Sequence, residues 1–487
     1  MGWREATAPV RMQRVALVCP RAVLRDMLVL VADAGVVEID RTTSGRNAGG
    51  AGSEAARRLL GVRPGGSPDP CLSATTPDLV DLERDGRDDL LAGEAELVSL
   101  ADDAVVRHEI AALAGWVPTL ELPHLTSRLA DVGAGVVPIP SPRGVDPPTL
   151  LHPGKGLRQS FTPLVETYGT VPYADVDPSV LAGIAYVLMF GMMFGDAGHG
   201  ALLVVLGFLM RARRPRALAR FHKVWPFVVG SGLAAIVFGL LYGEFFGPTG
   251  VVPVLWLAPL DEPVTLMAVA LGAGAVFLAG AQIIGTVNRW REGGWPLALS
   301  APSGIAGAAL LGGLGLIVLG ANGRLGWVIV AGALVMAGGV ALAYIGFLAA
   351  AGGGGAGIAQ ASVEVFDAVI RVGANLVSFT RLAAFGLTHA ALGKIVWDGT
   401  AGLWRSGGVL VAAAVLVFVL GNVLAFGLEA LVAGVQALRL EYYELFSRIF
   451  TGEGRPFRPW HVATDRTGEL LSTNSSAPFG ATIGRKP

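Results

Sequence analysis

The last two apolar stretches of this chain hold an unusual set of ionisable side chains: Asp367, Arg371, Arg381, His389, Lys394, Glu429, Arg439, Glu441 and Glu444. A charge in the hydrocarbon region of a bilayer is costly, so each is by default a functional candidate. Asp367, Ala374, Ser378, Arg381, Phe385 and Thr388 recur at helical spacing and share one side of a helix. At 1.5 Å per residue, Asp367 lies about 21 Å from Arg381 in one direction and His389 about 12 Å in the other. On the following stretch Glu429 and Gln436 share a face, as do Gln436 and Arg439, with Glu429 about 15 Å from Arg439. Arginine stays protonated at any accessible pH. Buried, it needs a counter-charge, and no dedicated carboxylate of this sequence falls at the depth of Arg381. A partner's carboxylate moving through the bilayer would supply one, and the cation would force it to release its proton. Asp367 on one side, and Glu429 and His389 on the other, would line aqueous half-channels to the two faces. This is proton-stator chemistry, without bond-making catalysis.

The blander readings are specific too. Arg381 and Glu429 would form an internal ion pair that only locks the bundle. His389 would be a hydrogen-bonded packing residue. Arg371 and Lys394, near the span ends, would snorkel to the interface. Glu441, Glu444 and Arg448 would form the solvated face of a helical extension. Asp196 and His199 flank the tight turn Gly195-Asp196-Ala197-Gly198 and are either polar caps of a helical hairpin or part of an outer aqueous vestibule. Nucleotide, hydrolase and metalloprotease signatures are absent, as are paired Cys motifs and His-rich clusters, so no catalytic residue, metal or cofactor is expected.

These side chains need a scaffold, and composition says which kind. Of 487 residues, 53% are hydrophobic and only 15% charged, with mean hydropathy +0.57. Soluble domains carry about 25% charged residues, so this chain cannot cover a normal water-facing surface. Net charge −1 gives no footprint for nucleic acid. Cys19 and Cys71 cannot build a disulfide framework. The first 20 residues contain Arg4, Arg11 and Arg14 and no long apolar core, so no cleavable leader is expected.

Hydropathy gives eight candidate spans, 179–194, 197–212, 223–243, 264–287, 297–320, 325–349, 362–397 and 405–449. The last two are too long to cross straight and must tilt, break or project. Basic loops at 211–223 and 288–295, and Arg455, Arg458 and Arg466 after the last span, are expected in the cytosol, while the acidic loop 244–263 faces out. Both termini are then cytoplasmic. Residues 1–175 read as a small α+β cytosolic domain. Within it, Val15–Val18 and Val36–Ile39 read as strands, Arg21–Ala32 and Asp78–Ala114 as helices, and 42–75 as a loop or disordered insertion. Residues 176–455 form the transmembrane domain, and 456–487 a disordered cytosolic tail. The expected fold is a mainly α, polytopic membrane protein.

Four stretches resemble subunit a (subunit I) of the vacuolar and archaeal-type rotary ATPases, the 116 kDa subunit family. Phe190-Gly-Met-Met-Phe-Gly-Asp-Ala-Gly-His-Gly is similar to the turn after the family's first span. Leu376-Val-Ser-Phe-Thr-Arg381-Leu-Ala-Ala-Phe-Gly-Leu-Thr-His389 is similar to the segment bearing its stator arginine. Gln436-Ala-Leu-Arg439-Leu-Glu-Tyr-Tyr-Glu, continuing to Gly454-Arg-Pro-Phe-Arg-Pro, is similar to its last span and exit. Pro147-Pro-Thr-Leu-Leu and Tyr173-Ala-Asp-Val-Asp-Pro resemble the approach to the membrane part.

The resemblance implies that Arg381 faces the carboxylates of a rotating proteolipid ring, with Arg439 supporting it and Gln436 beside that. It implies half-channel positions at Asp367, His389 and Glu429, with Ser378, Asp196 and His199 on the same proton path. Implied partners are the proteolipid ring, peripheral-stalk subunits, the central-stalk or ring-cap subunit, the soluble catalytic head and the lipid bilayer. The chain itself would be a non-catalytic subunit without a nucleotide site, in a bacterial plasma membrane. Its N-terminal region is shorter than the family's usual arm, which implies simplified stalk attachment. The competing reading is a stand-alone secondary transporter with Arg381 and Glu429 as a midplane substrate site.

Overall fold

The computed structural model describes residues 8–40, 69–142, 144–151, 157–450 and 454–465. These divide into a small unit, residues 10–150 with the segment from 455, and a larger one, residues 151–454.

The small unit is an antiparallel sheet with helices. Its strands are β1 (Met12–Pro20), β2 (Glu38–Ile39), β4 (Val105–Arg107), β5 (Ile110–Pro118) and β6 (Gly135–Pro138) in the order β2-β5-β1-β6, with β4 also on β5. A second, parallel pair joins β3 (Cys71–Ser73) to β7 (Ala463–Asp465). The helices are α1 (Leu24–Ala34), α2 (Leu79–Arg84), α3 (Asp88–Asp102) and α4 (Leu122–Ala130). Alternation along β1 sends Val15, Leu17 and Cys19 into a core with Met27, Leu28, Leu113 and Leu125. The helix expected over Asp78–Ala114 instead stops at Asp102. Beyond it, Ile110-Ala-Ala-Leu-Ala-Gly-Trp-Val alternates, and pairing with β1 across nine residues overrides helix propensity. Most of the 42–75 insertion lies outside the described residues, but Cys71–Ser73 is a strand. The segment after 455 is structured through Asp465, where β7, buried Trp460 and buried Val462 join the small unit; the rest of the expected tail lies outside the described residues.

The larger unit begins with α5 (Leu157–Tyr168) and two short apolar helices, α6 (Ser179–Met193) and α7 (Ala197–Arg211). Then come α8 (Trp225–Tyr242), α9 (Pro263–Ser300), α10 (Ile305–Asn322), α11 (Gly326–Ala350), α12 (Gly354–Ser378), α13 (Thr380–Ser406), α14 (Leu410–Leu440) and a final short α15 (Ser447–Ile449). Among the described residues six helical stretches are long and apolar enough to span a membrane, α12 and α13 together counting as one. Their outward faces carry Val276, Leu319, Leu334, Val423 and Leu424, each more than 60% exposed. Apolar surface on this scale would aggregate in water, and lipid covers it in an integral membrane protein.

Two long segments break, as their length requires. The ladder between α12 and α13 is interrupted at Phe379, whose ring is fully buried and fills the space beside Gly274 of α9. Arg381 therefore opens a new helix. Beyond α14 the chain widens into one π turn, Glu441–Phe446. The basic segment 288–295 is not a loop. It continues α9, which changes direction at Gly294 (φ 71°) before Pro296. Helix holds there because buried Arg289 pairs with Glu292, while Asn288 accepts from Val176 N–H and donates to the Ile449 carbonyl. The next helix accordingly starts at Ile305 and not at 297.

Candidate functional site: a buried Asp–His–Glu cluster and an unpaired arginine

The α6–α7 turn is fixed by Asp196. This side chain, fully buried, caps α7: Oδ1 accepts from His199 N–H at 2.9 Å and from Phe246 N–H at 3.0 Å, and Oδ2 from Gly247 N–H at 2.7 Å. One carboxylate thus satisfies an N-terminal helix donor and pins the loop after α8. That loop then presses on α13. Gly247 (φ 90°) lies so close to Gly393 that a Cβ would sit 2.8 Å from the Gly393 carbonyl oxygen. Gly393, itself without a side chain, makes room for the loop.

The cluster grows from this turn. His199, 2% exposed, presents its ring to His389, 5% exposed, with centroids 5.7 Å apart. His389 Nδ1 pairs with Glu429 of α14, and Nε2 lies 3.8 Å from Glu244. Phe194, at 5.1 Å from the His389 ring, and Phe426, at 5.8 Å from that of His199, wall off the group. Four expected residues, Asp196 and His199 at the start of α7, His389 of α13 and Glu429 of α14, are thus brought together from three elements. Glu244 was not among them. The sequence reads it only as a loop acid, although an acid directly after an apolar span with no nearby cation was the available signal.

Arg381 is separate. Among the described residues no carboxylate comes within ion-pair distance of it, and its Nη1 is buried without a hydrogen-bond partner. The internal Arg381–Glu429 pair is therefore absent, because Glu429 is spent on His389. Glu444 lies in the electrostatic reach of both Arg381 and Arg439 and beside the Ser378 hydroxyl. Ser378 Oγ also donates to the Ala374 carbonyl at 3.1 Å. Arg439 is exposed, and Gln436 keeps a buried, unpartnered Oε1.

One expectation needs correction. Glu441, Glu444 and Arg448 are not a solvated face, being 0%, 4% and 9% exposed. Residues three apart share a face, and the interleaved Tyr442, Leu445 and Phe446 were the apolar signal in the sequence that this face packs inward. Asp367 and Arg371 pair with each other, four residues apart on an exposed face. They border a cavity of about 260 Å³ with Glu364, Phe347 and Arg448.

The long apolar helices define an integral membrane protein, and among them lie a buried Asp–His–Glu cluster and, apart from it, an arginine with no ion pair among the described residues. Residues 102–251 match the V-type ATPase 116kDa subunit family. It is similar to the A-type ATP synthase subunit I of Aeropyrum pernix, at 29% identity over 67% of this chain and 52% of the relative. The A-type ATP synthase subunit I of Pyrococcus horikoshii is 25% identical over 72% of this chain and 53% of its own length. A shorter match, 36% identical over 168 residues, is to V-type ATP synthase subunit I 2 of Treponema pallidum, covering 32% of this chain and 35% of that protein. The chain spans about half the length of the first two.

Proposed function

We propose that the chain is the static, ion-conducting membrane subunit of a V/A-type rotary ATPase. The observation that carries this reading is Arg381, a permanent cation in an apolar bundle with no carboxylate of its own chain at ion-pair distance among the described residues. A fixed cation of that kind is stabilised by an acid supplied from outside, and a ring of proteolipid carboxylates passing it would be deprotonated one at a time. His389, Glu429, Glu244, Asp196 and His199 supply a titratable route on one side. On the other, Glu444, Ser378, Gln436, Arg439 and the Asp367-lined cavity supply polar surface. Protons are the ion this chemistry suits, and sodium is the alternative.

In this reading the peripheral stalk, ring-cap subunit and nucleotide-hydrolysing head are the further partners. The membrane is a bacterial plasma membrane with both termini cytoplasmic. The transporter reading gains nothing from the geometry, since Arg381 and Glu429 do not meet. Gentle purification of the chain from its native membrane tests the proposal: a ring of small proteolipids and an ATP-hydrolysing head should accompany it. Recovery of the chain alone, moving an anionic solute in vesicles, would overturn it.

A further inference from the structure

The cluster at the α6–α7 turn has the donor chemistry of a metal site. One ligand atom each from Asp196, His199 and His389 lies within 4.8 Å of the others, and all three residues are buried. Both ring nitrogens of His199 are buried without a hydrogen-bond partner. Asp196 Oδ1 at 3.8 Å and the Asn422 side chain are its polar neighbours; without a hydrogen bond they return little of the hydration lost, and a cation at one nitrogen would restore it.

His389 is oriented for the same task. Glu429 holds its Nδ1, leaving Nε2 turned toward Glu244 at 3.8 Å. A carboxylate on one imidazole nitrogen fixes the ring and raises the basicity of the other, the usual support behind a metal-bound histidine. Asp196 Oδ2 accepts only the Gly247 N–H and retains a free lone pair.

We propose that Asp196, His199 and His389, with Glu244 as fourth ligand, form a binding site for Zn²⁺ or a divalent cation of the same class. Two imidazoles and two carboxylates suit zinc, whereas Ca²⁺ and Mg²⁺ require shells of oxygen. Bonds of about 2.0–2.1 Å would bring the ligand atoms to about 3.4 Å apart, so binding draws the turn, the loop and α13 together by roughly 1 Å. If the cluster also carries protons, as the proposed function holds, occupancy blocks that route. This last clause rests on that reading; the binding does not.

The test uses the chain in its assembled complex, stripped of metal with a chelator and titrated with Co²⁺ as a visible-absorbing substitute for Zn²⁺. One Co²⁺ per chain with a tetrahedral spectrum is expected. His199→Gln and His389→Gln should each weaken it by more than about 100-fold, beyond the 10–100-fold expected of Glu429→Gln. Equal affinity and spectrum in both histidine variants would overturn the site. Should those variants fail to fold, the wild-type complex still decides: Zn²⁺ should raise its melting temperature, less so in Glu429→Gln, and no rise would overturn the proposal. Proton uptake is read in parallel. Slowing by Zn²⁺ supports both the site and the block, whereas tight binding with unchanged uptake upholds the site and refutes the proton route.

Discussion

The helix α13 passes through two opposite charge environments about 12 Å apart. At His389 every partner comes from the same chain: Glu429, Glu244 and, across the ring contact, His199 with Asp196. At Arg381 the described chain offers a buried, unpartnered guanidinium nitrogen and no ion pair. A compensated cluster is self-sufficient and can rearrange internally. An uncompensated cation is an unfinished interaction, and in the proposed function its missing half is an acid of another molecule. The largest effect should therefore come from removing it. Arg381→Ala is expected to abolish ATP-driven proton uptake in vesicles, by at least about 100-fold or about 2.7 kcal/mol, with assembly intact. Normal pumping by this variant would erase the contrast between the two environments.

A change inside the compensated cluster should be milder. Glu429→Gln leaves His389 with a neutral partner that still hydrogen-bonds, and water can carry protons past it. Pumping should fall roughly tenfold, about 1.4 kcal/mol. Measured across pH, a rate identical to wild type everywhere would make Glu429 purely structural and shift the route to Glu244.

The sequence revealed the unpaired half of this contrast better than the paired half. Arg381 is legible because one arginine in an apolar run is rare and costly. Asp196, His199, His389 and Glu429 were each visible as candidates, but their meeting was not, since it depends on a short α6–α7 hairpin that brings the turn level with the middle of α13. No His-rich motif announces the cluster, because its two histidines lie on different helices, α7 and α13. Glu244 was hidden for the same reason. Segment boundaries failed where buried polar groups satisfy each other: Asn288 and Arg289 look like loop residues until Ile449, Val176 and Glu292 supply their partners. Glu441 and Glu444 were misplaced by reading charge as solvent exposure, although Tyr442, Leu445 and Phe446 beside them pack into the core. In the small unit, β5 was hidden by an Ala-rich sequence whose strand state comes from its pairing with β1.

Glu441 sharpens the comparison from the other direction. It is an acid sealed in the core with neither carboxyl oxygen hydrogen-bonded, so it compensates nothing in the chain. Replacing an unsatisfied buried polar group by an apolar one of similar size removes a desolvation penalty of about 1–3 kcal/mol. Glu441→Leu is expected to stabilise the complex by about that amount against heat or denaturant. Destabilisation would mean that Glu441 has a partner supplied by another subunit, as is argued for Arg381.

Asp175 gives a third case, outside the spans, in the segment between α5 and α6. Burial, with Glu292 nearby, pushes its carboxyl from 3.8 up to about 7, partly opposed by Arg289. The folded chain therefore holds this acid protonated at pH values where the unfolded chain has already ionised it. Its contribution is complete below about 4, declines as pH rises, and is lost once pH passes about 7. Wild-type stability should fall across that window. Asp175→Asn, which cannot ionise, should flatten the profile and gain about 1–2 kcal/mol on the wild type between pH 4 and 8, after allowance for solvent screening. The smallness of this effect is informative, because Asp175 has Arg289 within electrostatic reach. An acid with a cation at hand inside its own chain costs the fold little. Parallel pH profiles for the wild type and the Asn variant would show that Asp175 is already ionised when folded, and would move it into the same class as the paired acids of the α6–α7 cluster.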